Sequence, residues 1–233
     1  RAVMVPIYPC NKFSTSLVTY GQSLSFDGPI EVRIYSEKGA KLYSRMLSDV
    51  EAYSLSLRSE FSACDLISEA KLSSNDKFAL YFGFRGEIKP FPIRFKFGLN
   101  VKRNSQVAGS NICFSPFVQT NGSLSKPFTR RWFPLGGASN FVASVHNTDI
   151  SLAQRESIVP TALEFVNSKG EIMSRNVSLK QNESLFIDVI EDEYLRTFFG
   201  NTIGWCMVTS ESYLLDGYYF SMTGSLVGGD HVY

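Results

Sequence analysis

Apolar and polar residues alternate along most of this chain with the two-residue period of strands that bury one face. The clearest run is residues 92–101 (PIRFKFGLNV). Here Ile93, Phe95, Phe97, Leu99 and Val101 fall on one side, and Arg94, Lys96 and Asn100 on the other. Shorter apolar or alternating runs occur at 13–26, 78–84, 112–118, 141–145, 162–166, 171–177, 185–190, 204–208 and 214–222. Turn residues separate them, such as Asp27-Gly28-Pro29 and the loop QTNGSLSK at 119–126. Residues 1–12 read as a leading strand or arm in which Pro6 and Pro9 limit regular pairing. Two segments break the pattern and predict short helices. One is the polar stretch 58–77; the other is 191–199 (EDEYLRTFF), with acids at its front and Gly200 behind it.

One block of this pattern occurs twice. Residues 31–57 read EVRIYSEKGAKLYSRMLSDVEAYSLSL, and residues 162–189 read ALEFVNSKGEIMSRNVSLKQNESLFIDV. Lys38-Gly39 falls opposite Lys169-Gly170, Ser44-Arg45 opposite Ser174-Arg175, and Tyr53, Leu55, Leu57 opposite Leu185, Ile187, Val189. Each block predicts a hairpin whose glycine supplies positive φ, followed by a third strand with its apolar face inward. Self-similarity at this separation marks a duplicated unit. The expected fold is all-β: two tandem antiparallel β-sandwich units of immunoglobulin-like type, related by internal duplication, with one or two short helices. The units are placed at 1–118 and 138–233, with 119–137 connecting them.

Composition supports packed sheets. Hydrophobic residues make up 44% of the 233, with 19 Phe and 11 Tyr, enough to exclude a disordered chain. The net charge of +1 conceals an asymmetry: residues 1–132 hold 18 Lys and Arg against 10 Asp and Glu (+8), and residues 133–233 hold 5 against 12 (−7). Three readings compete: complementary halves that meet within the chain or head to tail between copies, as a homo-oligomer; an anionic partner for the basic half; or separately solvated faces. Cys10, Cys64, Cys113 and Cys206 show no metal-finger spacing, and with only His146 and His231 beside them no metal site or cofactor is expected. No apolar segment reaches the roughly 20 residues of a membrane helix. The opening RAVMVPIYP lacks an initiator Met and has too short an apolar stretch for a signal peptide, which suits a start after cleavage or at an artificial boundary. A secreted or cell-surface setting is expected ahead of a cytoplasmic one.

Candidate chemistry is sparse. A nucleophilic triad would have to use His146 (VHNTD) or His231 (GGDHVY), since there is no GxSxG. The carboxylates at Asp188, Glu191, Asp192 and Glu193 crowd one short stretch, as at a helix start and unlike a glycosidase pair. The basic strand with Arg94 and Lys96 places its phenylalanines on the opposite face, which weakens a nucleic-acid reading based on base stacking. Arg130, Arg131 and Trp132 in FTRRWF have the composition of interface hot spots and are expected to wedge the two units together. His231 follows Gly228-Gly229, which lets the backbone approach another surface closely. Tyr218 and Tyr219 point to opposite faces of a strand, so at most one belongs to an aromatic platform with Trp205. The candidate binding residues are therefore Arg94, Lys96, Arg130, Arg131, Trp132 and His231. The expected function is non-catalytic binding or assembly, with carbohydrate or protein as partner. The alternative is a hydrolase or metal-dependent enzyme with its site at the unit junction, around His146 or His231.

Overall fold

The computed structural model describes residues 2–20, 29–56, 60–84, 96–106, 109–114, 129–138, 141–147, 158–210, 215–222 and 227–231. The first unit comprises β1 (Ala2–Ile7), β2 (Phe13–Tyr20), β3 (Ile30–Ser36), β4 (Lys41–Met46), α1 (Asp49–Ser56), β5 (Glu60–Ser62), α2 (Ala63–Glu69), β6 (Phe78–Phe84), β7 (Lys96–Arg103) and β8 (Ser110–Phe114). The second comprises β9 (Thr129–Gly136), β10 (Phe141–Asn147), β11 (Ile158–Val166), β12 (Ile172–Lys180), β13 (Ser184–Asp188), α3 (Glu193–Phe199), β14 (Ile203–Ser210), β15 (Leu215–Ser221) and β16 (Gly228–His231). Thr129–Gly136, in the stretch read from sequence as a connection, is thus a strand of the second unit's sheet.

Each unit packs two four-stranded antiparallel sheets. Sheet A runs β1-β6-β3-β4 and sheet B β5-β2-β7-β8; sheet C runs β9-β14-β11-β12 and sheet D β13-β10-β15-β16. Strand for strand, the second unit repeats the first, and α3 follows β13 as α2 follows β5. The matched turns agree in detail. Gly39 and Gly170 both have φ 79°. Their N–H groups donate at 3.0 Å to Ser36 O and Asn167 O, and the N–H groups of Ser36 and Asn167 donate to Ala40 O and Glu171 O. Ser36 Oγ and Asn167 Oδ1 each accept from the backbone N–H four residues on, at 3.1 Å. In the ladders, Arg45 lies opposite Val32 as Arg175 lies opposite Leu163.

The third strand of the first copy is not where its alternation puts it. Residues 49–56 form α1, Tyr53 is 65% exposed, and the counterpart of β13 is the short β5 that follows. A capping box decides this: Ser48 Oγ accepts from Glu51 N–H at 3.3 Å, and Glu51 Oε2 accepts from Ser48 N–H at 2.8 Å.

Val5, Leu17, Val32, Ile34, Leu80 and Phe82 centre the first core, and Phe133, Val145, Leu163, Phe165 and Val208 the second. The first core continues without a break into Val142, Tyr218 and Phe220 on the outer face of sheet D. One end of the first sandwich stands on that face. The Tyr8 ring meets Phe186 and Phe220 edge-on at 5.8 and 5.5 Å. Ser184 N–H donates to Glu37 O at 2.9 Å, and Arg103 Nη2 to Met222 O at 2.7 Å. Lys38 pairs with Glu183 at 3.6 Å and Lys77 with Glu191 at 2.5 Å, each a cation of the basic half against an acid of the acidic half. Beside this junction, Cys10 and Cys64 form a disulfide that ties the β1–β2 turn to α2.

Candidate functional site

The structure disperses the residues singled out from sequence. Arg94 lies outside the described residues. Lys96 opens β7 opposite Tyr20 and His231 ends β16 opposite Tyr218; the side chains of both lie outside the described residues. Arg130, Arg131 and Trp132 sit on β9, where the pleat separates them: Arg131 points to the same side as the buried Phe133, while Arg130 and Trp132 face outward. Trp132 is 52% exposed on sheet C, so it does not wedge the units; the rings at the junction are those of Tyr8, Phe13, Phe186 and Phe220.

Register turns the outer face of sheet C into three cross-strand rows. The first is Pro134–Trp205–Val166–Ile172, the second Trp132–Met207–Glu164–Ser174, and the third Arg130–Thr209–Ala162–Asn176. Trp205 is 46% and Ile172 67% exposed, and Ile203 and Ile158 lie exposed on the same face. Five of the eleven exposed large apolar side chains among the described residues are therefore on this one sheet face. Isolated surface apolar residues are ordinary, but a contiguous row is the mark of an interaction surface. Arg130 extends along it, its Nε donating to Met207 Sδ at 2.9 Å. Of this face, sequence reasoning singled out Arg130 and Trp132 on β9. It grouped Trp205 with Tyr218 and Tyr219 instead and did not single out Ile172; both come beside Trp132 only through strand pairing. The outer face of sheet B is polar around β5: Ser16 Oγ and Asn100 Nδ2 both donate to Glu60.

His146 occupies a different environment. Its ring is fully buried at the junction, with Nδ1 2.7 Å from Ser184 Oγ and Nε2 3.0 Å from Ser144 Oγ. Rings of Phe186 and Tyr218 pack around it. Burial pushes its pKa down to about 3, so the neutral ring donates through one nitrogen and accepts at the other. A substrate reaches this histidine only if the units part, which is the arrangement of a structural histidine. Tyr218 is likewise fully buried and lies on a different sheet from Trp205, so the two share no aromatic platform.

Opposite His146 in the ladder is Asp216, which accepts from Gly217 N–H at 3.0 Å and from Tyr218 Oη at 3.2 Å. Desolvation pushes its pKa up to about 7. A carboxyl whose folded pKa is raised stabilises the fold at low pH and loses that contribution as pH climbs through the folded value. Asp216→Asn removes the charge and keeps an acceptor. Its stability advantage over the parent is expected to grow by about 2 kcal/mol between pH 5 and pH 8. His146 acts in the opposite sense below about pH 6.5, but equally in both proteins. Urea unfolding at the two pH values measures the difference; a constant offset would mean Asp216 is ionised throughout.

No protein-family model matches the chain, and no curated protein does. Among solved structures, the pilus backbone (RrgB) from Streptococcus pneumoniae aligns with 99% of this chain and 79% of that one, at 9% identity and a TM-score of 0.24. Agreement at that level carries no argument; the fold stands on its own sheets, and function has to be read from the surface.

Proposed function

We propose that this chain is a non-catalytic assembly module that docks on a second copy of itself through the outer face of sheet C. The observation that carries this reading is the unbroken apolar row Pro134–Trp205–Val166–Ile172 with Trp132 beside it. Two sheets pack face to face when both faces are apolar and nearly uncharged. This face carries one cation, Arg130, and one acid, Glu164, in its three rows, so a two-fold pairing sets opposite charges against each other. Four strands by seven residues give a plane of roughly 19 by 23 Å. Burying it on both copies lies at the low end of specific interfaces, which suits weak and reversible association. Where sheet A stands in the first unit, Met4, Tyr35 and Ala79 on the equivalent face are buried, so sheet C offers the open version of this surface.

Sedimentation equilibrium from micromolar to millimolar protein is the test. The parent is expected to move from monomer towards dimer, and Trp132→Ala/Trp205→Ala to remain monomeric with an unfolding midpoint close to the parent's. A parent that stays monomeric at millimolar concentration, or a double variant that associates equally well, defeats the proposal.

A further inference from the structure

The two sandwiches differ at one edge. In the first unit the chain leaves β4, forms α1 and then enters β5, so a helix spans the gap between the edges of sheets A and B. In the second, residues 181–183 alone join β12 to β13. Arg45 on β4 donates Nη1 and Nη2 to Glu51 of α1 at 2.9 and 2.6 Å, and its Nε lies 3.2 Å from Glu69 of α2. Four residues on from Glu51, one helical turn along, Leu55 is buried in the first core. Arg175 is the counterpart of Arg45. It donates Nη1 to Asp192 Oδ2 at 2.7 Å, Asp192 being the N-cap of α3 whereas Glu69 stands at the far end of α2, and its guanidinium lies over Phe165. Where the first unit has α1, the second has a cleft of about 440 Å³, closed on one side by Glu37 and Lys77 of the first unit, whose half-buried apolar wall is Val177, Leu185 and Phe186, with Leu163, Phe165, Ile187 and Leu195 buried beneath.

The geometry points to this cleft as the docking site for a helical segment of a partner protein that carries an acidic and an aliphatic residue four positions apart. The acid takes the edge of the Arg175 fork that Asp192 leaves open, in the part Glu51 plays for Arg45, and the aliphatic side chain packs on Val177 and Leu185, in the part Leu55 plays in the first core. Two carboxylates on one guanidinium already coexist in the first unit. The acids at the rim are engaged: Glu191 pairs with Lys77, and Asp188 Oδ1 accepts from the N–H groups of Ile190 and Glu191. Glu37 is shifted towards its neutral form by burial. Arg175 points away from the outer face that carries Ile172, so this site is independent of the self-association proposed above.

The probe is a peptide of residues 48–57, SDVEAYSLSL, stapled as a helix and titrated into the intact ¹⁵N-labelled chain. Saturable shifts are expected at residues 163, 165, 175, 187 and 192. Arg175→Met and Arg175→Lys are expected to weaken binding tenfold or more, the second because it keeps charge without the fork. On the parent protein, peptides with Gln for Glu51 or Ala for Leu55 are expected to lose binding to a similar degree. The proposal is overturned if the parent shows no shifts at these residues, if the peptide variants bind as well, or if a peptide with Lys for Glu51 binds more tightly.

Discussion

Reduction of the Cys10–Cys64 disulfide is expected to lower the unfolding free energy by about 4 kcal/mol, from the loop-closure entropy of a crosslink spanning 54 residues. Its position adds to the effect. Cys10 follows Tyr8 and Pro9 in the turn that stands on sheet D, and Asn104 Nδ2 donates to Cys10 O at 2.9 Å, so freeing the turn also loosens the junction. Guanidinium unfolding with and without a thiol-free reductant measures the loss. Cys10→Ser/Cys64→Ser is expected to match the reduced parent and to ignore reductant. Cys206 supplies the control: it is a buried thiol whose pKa burial pushes up, and it takes no part in a crosslink. A reduced protein as stable as the oxidised one would show that the bridge merely decorates a turn held by packing.

What the sequence disclosed follows the range of its physical signals. Strand period and the Lys-Gly turns are local, and they led to the sandwich class and the hairpins β3–β4 and β11–β12. The Ser-Arg match was also sound, since Arg45 and Arg175 hold matched ladder positions and each pairs with an acid of a helical segment, Glu51 in α1 and Asp192 at the start of α3. The third strand failed because YSLSL alternates apolar and polar like a strand, while the Ser48-Asp49-Val50-Glu51 capping box just before it specifies a helix. That signal was present and was outweighed. Pairings between distant segments left no local trace: four cysteines permit three pairings, and Trp132 meets the row of Trp205 only through the β9–β14 register.

Duplication followed by divergence explains which faces are available. In the second unit the outer face of sheet D became apolar around Phe186, Tyr218 and Phe220 and received the first unit. The matching face of sheet B carries Ser16, Ser62, Asn100 and Glu60 in place of those rings. Charge agrees, because the lysines at Lys38 and Lys77 find Glu183 and Glu191 inside the chain.

Replacing Gly39 and Gly170 separately by alanine is expected to give unequal losses, about 3 kcal/mol at Gly39 and about 1 kcal/mol at Gly170. The two positions share φ 79° and the same turn hydrogen bonds, so the backbone strain of a β-carbon is common to both. Their surroundings differ. A β-carbon on Gly170 meets nothing within 4 Å, whereas on Gly39 it would lie 2.7 Å from Gln181 O and 3.0 Å from Glu183 N, backbone atoms of the other unit. The Gly39→Ala chain has to lift its turn off sheet D, stretching the bond from Ser184 N–H to Glu37 O and the Lys38–Glu183 pair. Hydrogen exchange at Ser184 reports this directly: its amide is expected to exchange faster in Gly39→Ala and unchanged in Gly170→Ala. Equal losses in the two variants, with Ser184 protected in both, would mean that the units do not meet at this turn in solution.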